Sequence, residues 1–152
     1  MGKTAIIYAS MSGNTEAIAD LIEKGLNEAG SEAEKFEAMD IDGTVFTEYD
    51  HLLIGAYTWG DGEMPDEMLD LYDEMDDYDF EDKTIALFGS GDTAYDLFCG
   101  AVDLLAEKIQ QNNGSLIMES LKIECFPDGD QEEACLEFGR QFARCIQSAV
   151  RS

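Results

Sequence analysis

Short apolar runs recur along this chain, and each is followed by a polar loop and then an amphipathic stretch. The runs are Thr4–Ala9, His51–Ala56 and Thr84–Gly89. Runs so short and so continuously apolar read as strands covered on both faces. After the first, Ile18, Leu21, Ile22, Gly25, Leu26 and Ala29 recur at spacings of three and four before Gly30, which predicts an amphipathic helix with a glycine stop. Ala33–Ala38 is a more polar strand suited to a sheet edge. Pro65 suits the first turn of a helix carrying Met68, Leu71, Tyr72 and Met75. A further helix carries Ala101, Leu104, Leu105 and Ile109 and stops near Asn113-Gly114. Leu121, Ile123 and Cys125 alternate with Lys122 and Glu124 as in a half-exposed strand, and a last helix starts near Gln131. Strand–helix alternation through the whole chain predicts one α/β domain over 1–152, a doubly wound parallel sheet with helices on both faces.

In such sheets ligands bind beyond the C-terminal strand ends, where the strand order reverses. Three loops then matter, after Ala9, Ala56 and Gly89. The first holds Ser10, Met11, Ser12, Gly13, Asn14 and Thr15 and leads straight into a helix. Amides at a helix start favour an anion, Gly13 permits close backbone approach, and the hydroxyls and the Asn14 amide add donors. One such residue would serve as an N-cap; four with a glycine among them point to phosphate. Neither the nucleotide-triphosphate loop nor the dinucleotide G-x-G-x-x-G pattern occurs here, so a single phosphate monoester suits it best. The second loop, Tyr57, Thr58, Trp59, Gly60, Asp61, Gly62 and Glu63, carries the only tryptophan between glycines. The third, from Ser90, Gly91 and Asp92 to Tyr95 and Asp96, again sets an aromatic beside glycine. Two aromatics and a phosphate cradle at one sheet edge suit a phosphorylated flat heterocycle.

Composition narrows the partners. A hydrophobic fraction of 45% excludes a disordered chain despite a formal charge of −25. No stretch reaches the roughly 20 apolar residues of a membrane span, and no secretory signal opens the chain, so a cytoplasmic protein is expected. From Phe36 to Asp82 there is no Lys or Arg, while 17 of the 34 acidic residues lie there. That surface repels nucleic acid and anionic membranes and attracts a basic protein. Asp61, Glu63, Asp66, Glu67, Asp92 and Asp96 are the candidate docking acids. Cys99, Cys125, Cys135 and Cys145 form no C-x-x-C pair; Cys135 and Cys145 share an apolar helical face with Phe138, Phe142 and Ala149 and read as buried small hydrophobes. Zinc has no support, and the sole histidine, His51, reads as structural.

The stretch from Ile6 through Ser10-Met11-Ser12-Gly13-Asn14-Thr15 to Ile22 resembles the flavodoxin FMN-phosphate signature. Thr58-Trp59-Gly60-Asp61 and Gly91-Asp92-Thr93-Ala94-Tyr95, with Phe98-Cys99-Gly100, resemble that family's two flavin-flanking loops. The resemblance runs in order over essentially the whole chain. It implies a five-stranded sheet of order 2-1-3-4-5 and, since Leu116–Cys125 shows no large insertion, the short-chain subgroup. It further implies FMN, with Ser10, Ser12, Asn14 and Thr15 at the phosphate and Thr58 near the ribityl chain. Trp59 and Tyr95 would cover the ring faces, the Gly60 carbonyl would face N5, Asp92 and its neighbours would meet the pyrimidine edge, and Cys99 would lie close by. Met11, Gly13, Tyr57, Asp61, Ser90 and Gly91 complete the implied site. Three positions depart from common family choices: Ser12 for threonine, Tyr57 for serine, and Leu97 for an aromatic.

The implied function is a monomeric one-electron carrier rather than an enzyme, with a stabilised semiquinone and a low potential for the second electron. One carboxylate about 10 Å from the reduced ring, at an effective dielectric near 20, would cost roughly 1.7 kcal/mol, on the order of 70 mV for a one-electron couple. A cradle without lysine suits a low potential. Its partners would be a flavodoxin reductase and acceptor oxidoreductases with basic faces. An FMN-dependent NAD(P)H or quinone reductase is the alternative, but no spare segment offers a substrate pocket. Receiver domains are excluded because the strand ends read Ala9-Ser10 and Ala56-Tyr57 instead of clustered acids. The phosphatase string Cys145 to Arg151-Ser152 falls in the last helix, where no following helix supplies amides.

Overall fold

The computed structural model describes residues 3–9, 13–57, 64–91, 100–124 and 129–151. Five parallel strands form one sheet in the order β2-β1-β3-β4-β5, as the resemblance implies. They are β1 (Thr4–Ala9), β2 (Glu34–Glu37), β3 (His51–Tyr57), β4 (Thr84–Gly91) and β5 (Leu121–Glu124). The helices are α1 (Asn14–Glu28), a single turn α2 (Val45–Glu48), α3 (Asp66–Glu74), α4 (Gly100–Gln111) and α5 (Asp130–Arg151).

Strand alternation sorts the core into two layers. Ala5, Ile7, Leu52, Ile54, Ile85 and Leu87 face the layer of α3 and α4, against Met68, Leu71, Val102 and Leu105. Ile6, Tyr8, Leu53, Ala86 and Phe88 face the layer of α1 and α5, against Ile18, Ile22, Phe138 and Phe142. The three central strands are buried from both sides, which is why they read as unbroken apolar runs.

The expected glycine stop of α1 is present in detail. Gly30 adopts φ +89°, its N–H bonds the Asn27 carbonyl, and the Ser31 N–H bonds the Leu26 carbonyl at 2.9 Å. That reciprocal pair closes the last carbonyls of the helix. Asn113 does the corresponding duty after α4 at φ 74°.

Four boundaries differ from the sequence reading. The expected edge strand over Ala33–Ala38 shortens to Glu34–Glu37, because Ala38 already opens a 3₁₀ turn that buries it. Pro65 stands one residue ahead of α3 at ψ 149°, where its carbonyl accepts the Met68 N–H. The stretch 116–124 is not one strand: Leu116 makes an isolated bridge to Ile85, and pairing resumes only at Leu121, opposite Phe88. The turn α2 was not foreseen; Phe46 in it is buried edge-to-face against Phe80 and Tyr78. Cys135 is buried as expected, and burial pushes its thiol up to about 12. Cys145 is half-buried, and Cys99 and Cys125 lie outside the described residues.

Candidate functional site

Three strand ends assemble the site. β1 finishes at Ala9, β3 at Tyr57 and β4 at Gly91, and the register sets Ala9 beside Ala56 and Tyr57 beside Ser90. The three loops singled out in the sequence therefore leave from neighbouring points of one sheet edge. The chain runs from β1 out to β2 and back across to β3, so the order reverses there, at the point where sheets of this kind bind ligands. Ser10, Met11, Ser12, Thr58, Trp59, Gly60, Asp61, Asp92, Tyr95 and Cys99 lie outside the described residues, as do Glu63, Asp96 and Leu97. Gly13, Asn14, Thr15, Tyr57, Ser90 and Gly91 are described, and all six sit at this edge.

Gly13 is the N-cap of α1, in the left-handed region at φ +89°. A Cβ there would meet nothing within 4 Å, so glycine is required by the backbone angle and not by crowding. Its carbonyl accepts the Ala17 N–H at 2.9 Å, opening the helical ladder. No side-chain hydrogen bond caps the helix at this residue, and the first turn holds Glu16. The positive end of the helix dipole stands at this edge of the sheet and favours negative charge beside it.

Two side-chain bonds hold this first turn. The Tyr8 hydroxyl, on β1, donates to Glu16 Oε2 at 3.2 Å. Burial, with the adjacent Glu16 carboxylate, pushes the Tyr8 phenol up to about 12. On the other side, Thr15 Oγ1 and Ser90 Oγ lie 2.9 Å apart. Thr15 is wholly enclosed and Ser90 is 2% exposed. The sequence reading set Thr15 at the phosphate and Ser90 in the third loop as separate contributors; the structure joins their hydroxyls and turns both inward. Asn14, Tyr57 and Gly91 keep part of their surface open.

Tyr8 and Glu16 escaped the sequence reading. The signal for them was present: a hydroxyl one residue before a strand end and a carboxylate in the first turn of the next helix stand only eight positions apart. Lys3 and Lys83 precede β1 and β4, at the opposite edge of the sheet, and Lys83 is tied to the Tyr49 carbonyl and Asp50. Among the described residues no cluster of three metal-ligating side chains occurs.

A helix start behind a left-handed glycine fits a compact anion held by dipoles. The flanking loops can supply aromatic surface to whatever the anion is attached to. The flavodoxin family model matches residues 6–139 of this chain. The chain belongs to the flavodoxin family. It is 59% identical over 151 residues to probable flavodoxin 2 of Bacillus subtilis, covering 99% of this chain and 100% of that one. The crystal structure of oxidised flavodoxin 1 from Bacillus cereus superposes with a TM-score of 0.89 at 44% identity, covering 93% of this chain and 97% of the other. A Fusobacterium nucleatum flavodoxin bound to flavin mononucleotide shares the fold, with a TM-score of 0.77 at 17% identity over 98% of this chain and 99% of that one. Flavodoxins are FMN-holding electron-transfer proteins and not enzymes with a substrate of their own, and family membership gives this chain that class. No helix among the described residues is long and apolar enough to cross a membrane.

Proposed function

We propose that this flavodoxin is a low-potential one-electron carrier, loaded by a reductase and emptied by acceptor oxidoreductases that dock on its acidic surface. The observation that carries this reading is the start of α1. It presents the positive end of the helix dipole behind Gly13, with Glu16 and no lysine or arginine in its first turn. Ser10, Ser12 and Asn14 add donors around the phosphate of FMN, and Thr15 joins through its backbone amide. Trp59 and Tyr95 cover the two faces of the ring, Thr58 lies along the ribityl chain, and the Gly60 carbonyl faces the ring edge. Met11, Tyr57, Asp61, Gly91, Asp92 and Cys99 line the remaining perimeter. Bound FMN supplies one-electron redox chemistry; the protein holds it, excludes water from its faces and surrounds it with negative charge.

The charge distribution supports the direction of tuning. A carboxylate-rich surface disfavours added negative charge on the cofactor, and no ammonium at the cradle offsets it. Asp66, exposed at the first residue of α3, belongs to the docking acids. The same acids favour a monomer, kept apart from its copies by net charge.

Stepwise dithionite titration of the FMN-loaded protein tests the reading. A long-wavelength absorption band that rises and then falls during the titration is expected for single-electron steps. Direct bleaching without that band would favour a reductase working in two-electron steps, and loss of FMN on gel filtration would overturn the cofactor site.

A further inference from the structure

Met39 is 71% exposed, the most exposed large apolar side chain among the described residues. It lies in the 3₁₀ turn Ala38–Asp40 that follows β2. Beside it a groove of about 390 Å³ runs between this turn and α2. The floor is apolar: the Phe36 and Tyr49 rings meet edge-to-face with centroids 5.8 Å apart, and Val45 is buried. The rim is acidic, with Asp40, Asp42 and Glu48 open to solvent. The wall is held in place before any partner arrives. The Gly43 N–H donates to Glu74 of α3 at 3.3 Å, and a Cβ on Gly43 would stand 2.4 Å from the Tyr78 ring.

No lysine or arginine lines the groove among the described residues, and none occurs in the chain from Phe36 to Asp82. Lys35 points to the other face of β2, where it pairs with Asp20 and Glu23 of α1. Lys83 donates to the Tyr49 carbonyl and is paired with Asp50. The Thr44 hydroxyl and N–H both donate to Asp42 and hold its carboxyl below the usual carboxylate range, so the rim stays charged. An apolar floor under unanswered negative charge fits an apolar side chain flanked by cations. Nucleic acid and anionic membranes are repelled, and so is a second copy with its own formal charge of −25.

We infer that this groove docks a basic protein, whose apolar side chain packs on Met39 and the floor while flanking lysines or arginines meet the rim; the inference rests on the basic redox partners proposed above and not on the cofactor loops. Methionine suits the contact because its flexible thioether adapts to the shape it meets. The place suits a redox partner too. Glu37, the last residue of β2, pairs with Tyr8 of β1, so the turn leaves the sheet at the edge where the loops after β1 and β3 gather. An interface of ordinary size covers about 800 Å² on each partner, enough to span strands about 4.8 Å apart.

Surface plasmon resonance of the FMN-loaded protein on an immobilised NADPH-dependent flavodoxin reductase, at low and high salt, tests the groove, with NADPH-driven reduction followed alongside. Met39→Ala is expected to speed dissociation about fivefold to tenfold at both salt concentrations, because it removes apolar burial. Asp40→Asn combined with Glu48→Gln is expected to slow association severalfold at low salt and to match wild type at high salt. Ile117→Ala, an exposed apolar side chain on the β5 side of the sheet, should change neither rate. All four side chains are exposed, so the variants keep the fold. Wild-type dissociation in Met39→Ala, or an equal loss in Ile117→Ala, would overturn the groove and leave the carrier standing. A reductase that neither binds nor reduces the wild-type protein would overturn the carrier's partner class and the groove with it.

Discussion

The Tyr8 hydroxyl donates to Glu16 Oε2 across the loop that separates β1 from α1, at 3.2 Å. This bond holds a carboxylate at the positive end of the helix dipole, beside the proposed anion site. Tyr8→Phe removes the donor from a largely buried position and is expected to lower stability by about 1 kcal/mol, or roughly 2–4 °C in melting temperature for a domain of this size. The phenol is held near 12 in the folded protein against an ordinary 10.0, so its stabilisation is complete below pH 10 and is lost as pH rises towards 12. Alkaline melting curves of wild type and Tyr8→Phe should converge over that interval; parallel curves would place Tyr8 outside the linkage.

Glu16→Gln separates charge from shape at the same spot. The amide can still accept from Tyr8, but the negative charge beside the cradle is gone. FMN affinity should rise by about twofold to fivefold at low salt, and the gain should shrink as salt is added. Titration at two ionic strengths checks both halves.

His51 is 7% exposed, and its Nδ1 has no hydrogen-bond partner among the described residues. Burial holds its pKa below the ordinary 6.5, with Lys83 acting in the same direction and Asp50 opposing. The unfolded chain therefore binds a proton that the folded protein refuses. Stability is full above about pH 6.5 and falls as pH drops below it. Relative to His51→Leu, wild type should lose melting temperature between pH 7 and pH 5. A constant gap would show that the imidazole does not titrate with unfolding.

Gly25 and Gly139 answer each other across α1 and α5. A Cβ on Gly25 would stand 2.1 Å from the Leu136 carbonyl oxygen, and one on Gly139 would stand 2.2 Å from that of Ile22. These are backbone atoms and cannot swing away, so alanine at either position forces the helices apart at a cost of about 1–3 kcal/mol or more. Gly13→Ala meets no atom within 4 Å and carries only the left-handed backbone penalty, about 1–2 kcal/mol. Chemical denaturation of the three variants should rank Gly13→Ala mildest for stability, while FMN retention should rank it worst.

Asp66→Lys reverses one charge at the exposed start of α3. With a basic-faced reductase the association rate should fall at low salt, with a shallower dependence on ionic strength and little change in dissociation. Stopped-flow reduction at several salt concentrations reads all three, and an unchanged salt slope would remove Asp66 from the docking face.

The pattern of apolar runs in this chain was enough to specify the three central strands and the edge at which the loops gather. Period and polarity are local properties, and a strand buried from both sides has one apolar signature wherever it occurs. Gly30 as a helix stop and Gly13 before the helix start were legible for the same reason, because a left-handed angle excludes most other residues. The break between Leu116 and Leu121 was not legible, since an edge strand can pair or part with its neighbour without changing its pattern. Nor was the turn around Phe46, whose helical content is too short to show a period and is held by aromatic packing from residues more than thirty positions away. At the site, sequence alone determined which residue types stand on which loops. Only the tertiary structure decided that Thr15 turns to Ser90. Partners 75 residues apart are chosen by sheet order and by the lean of a helix over it, and no local pattern in a chain encodes either.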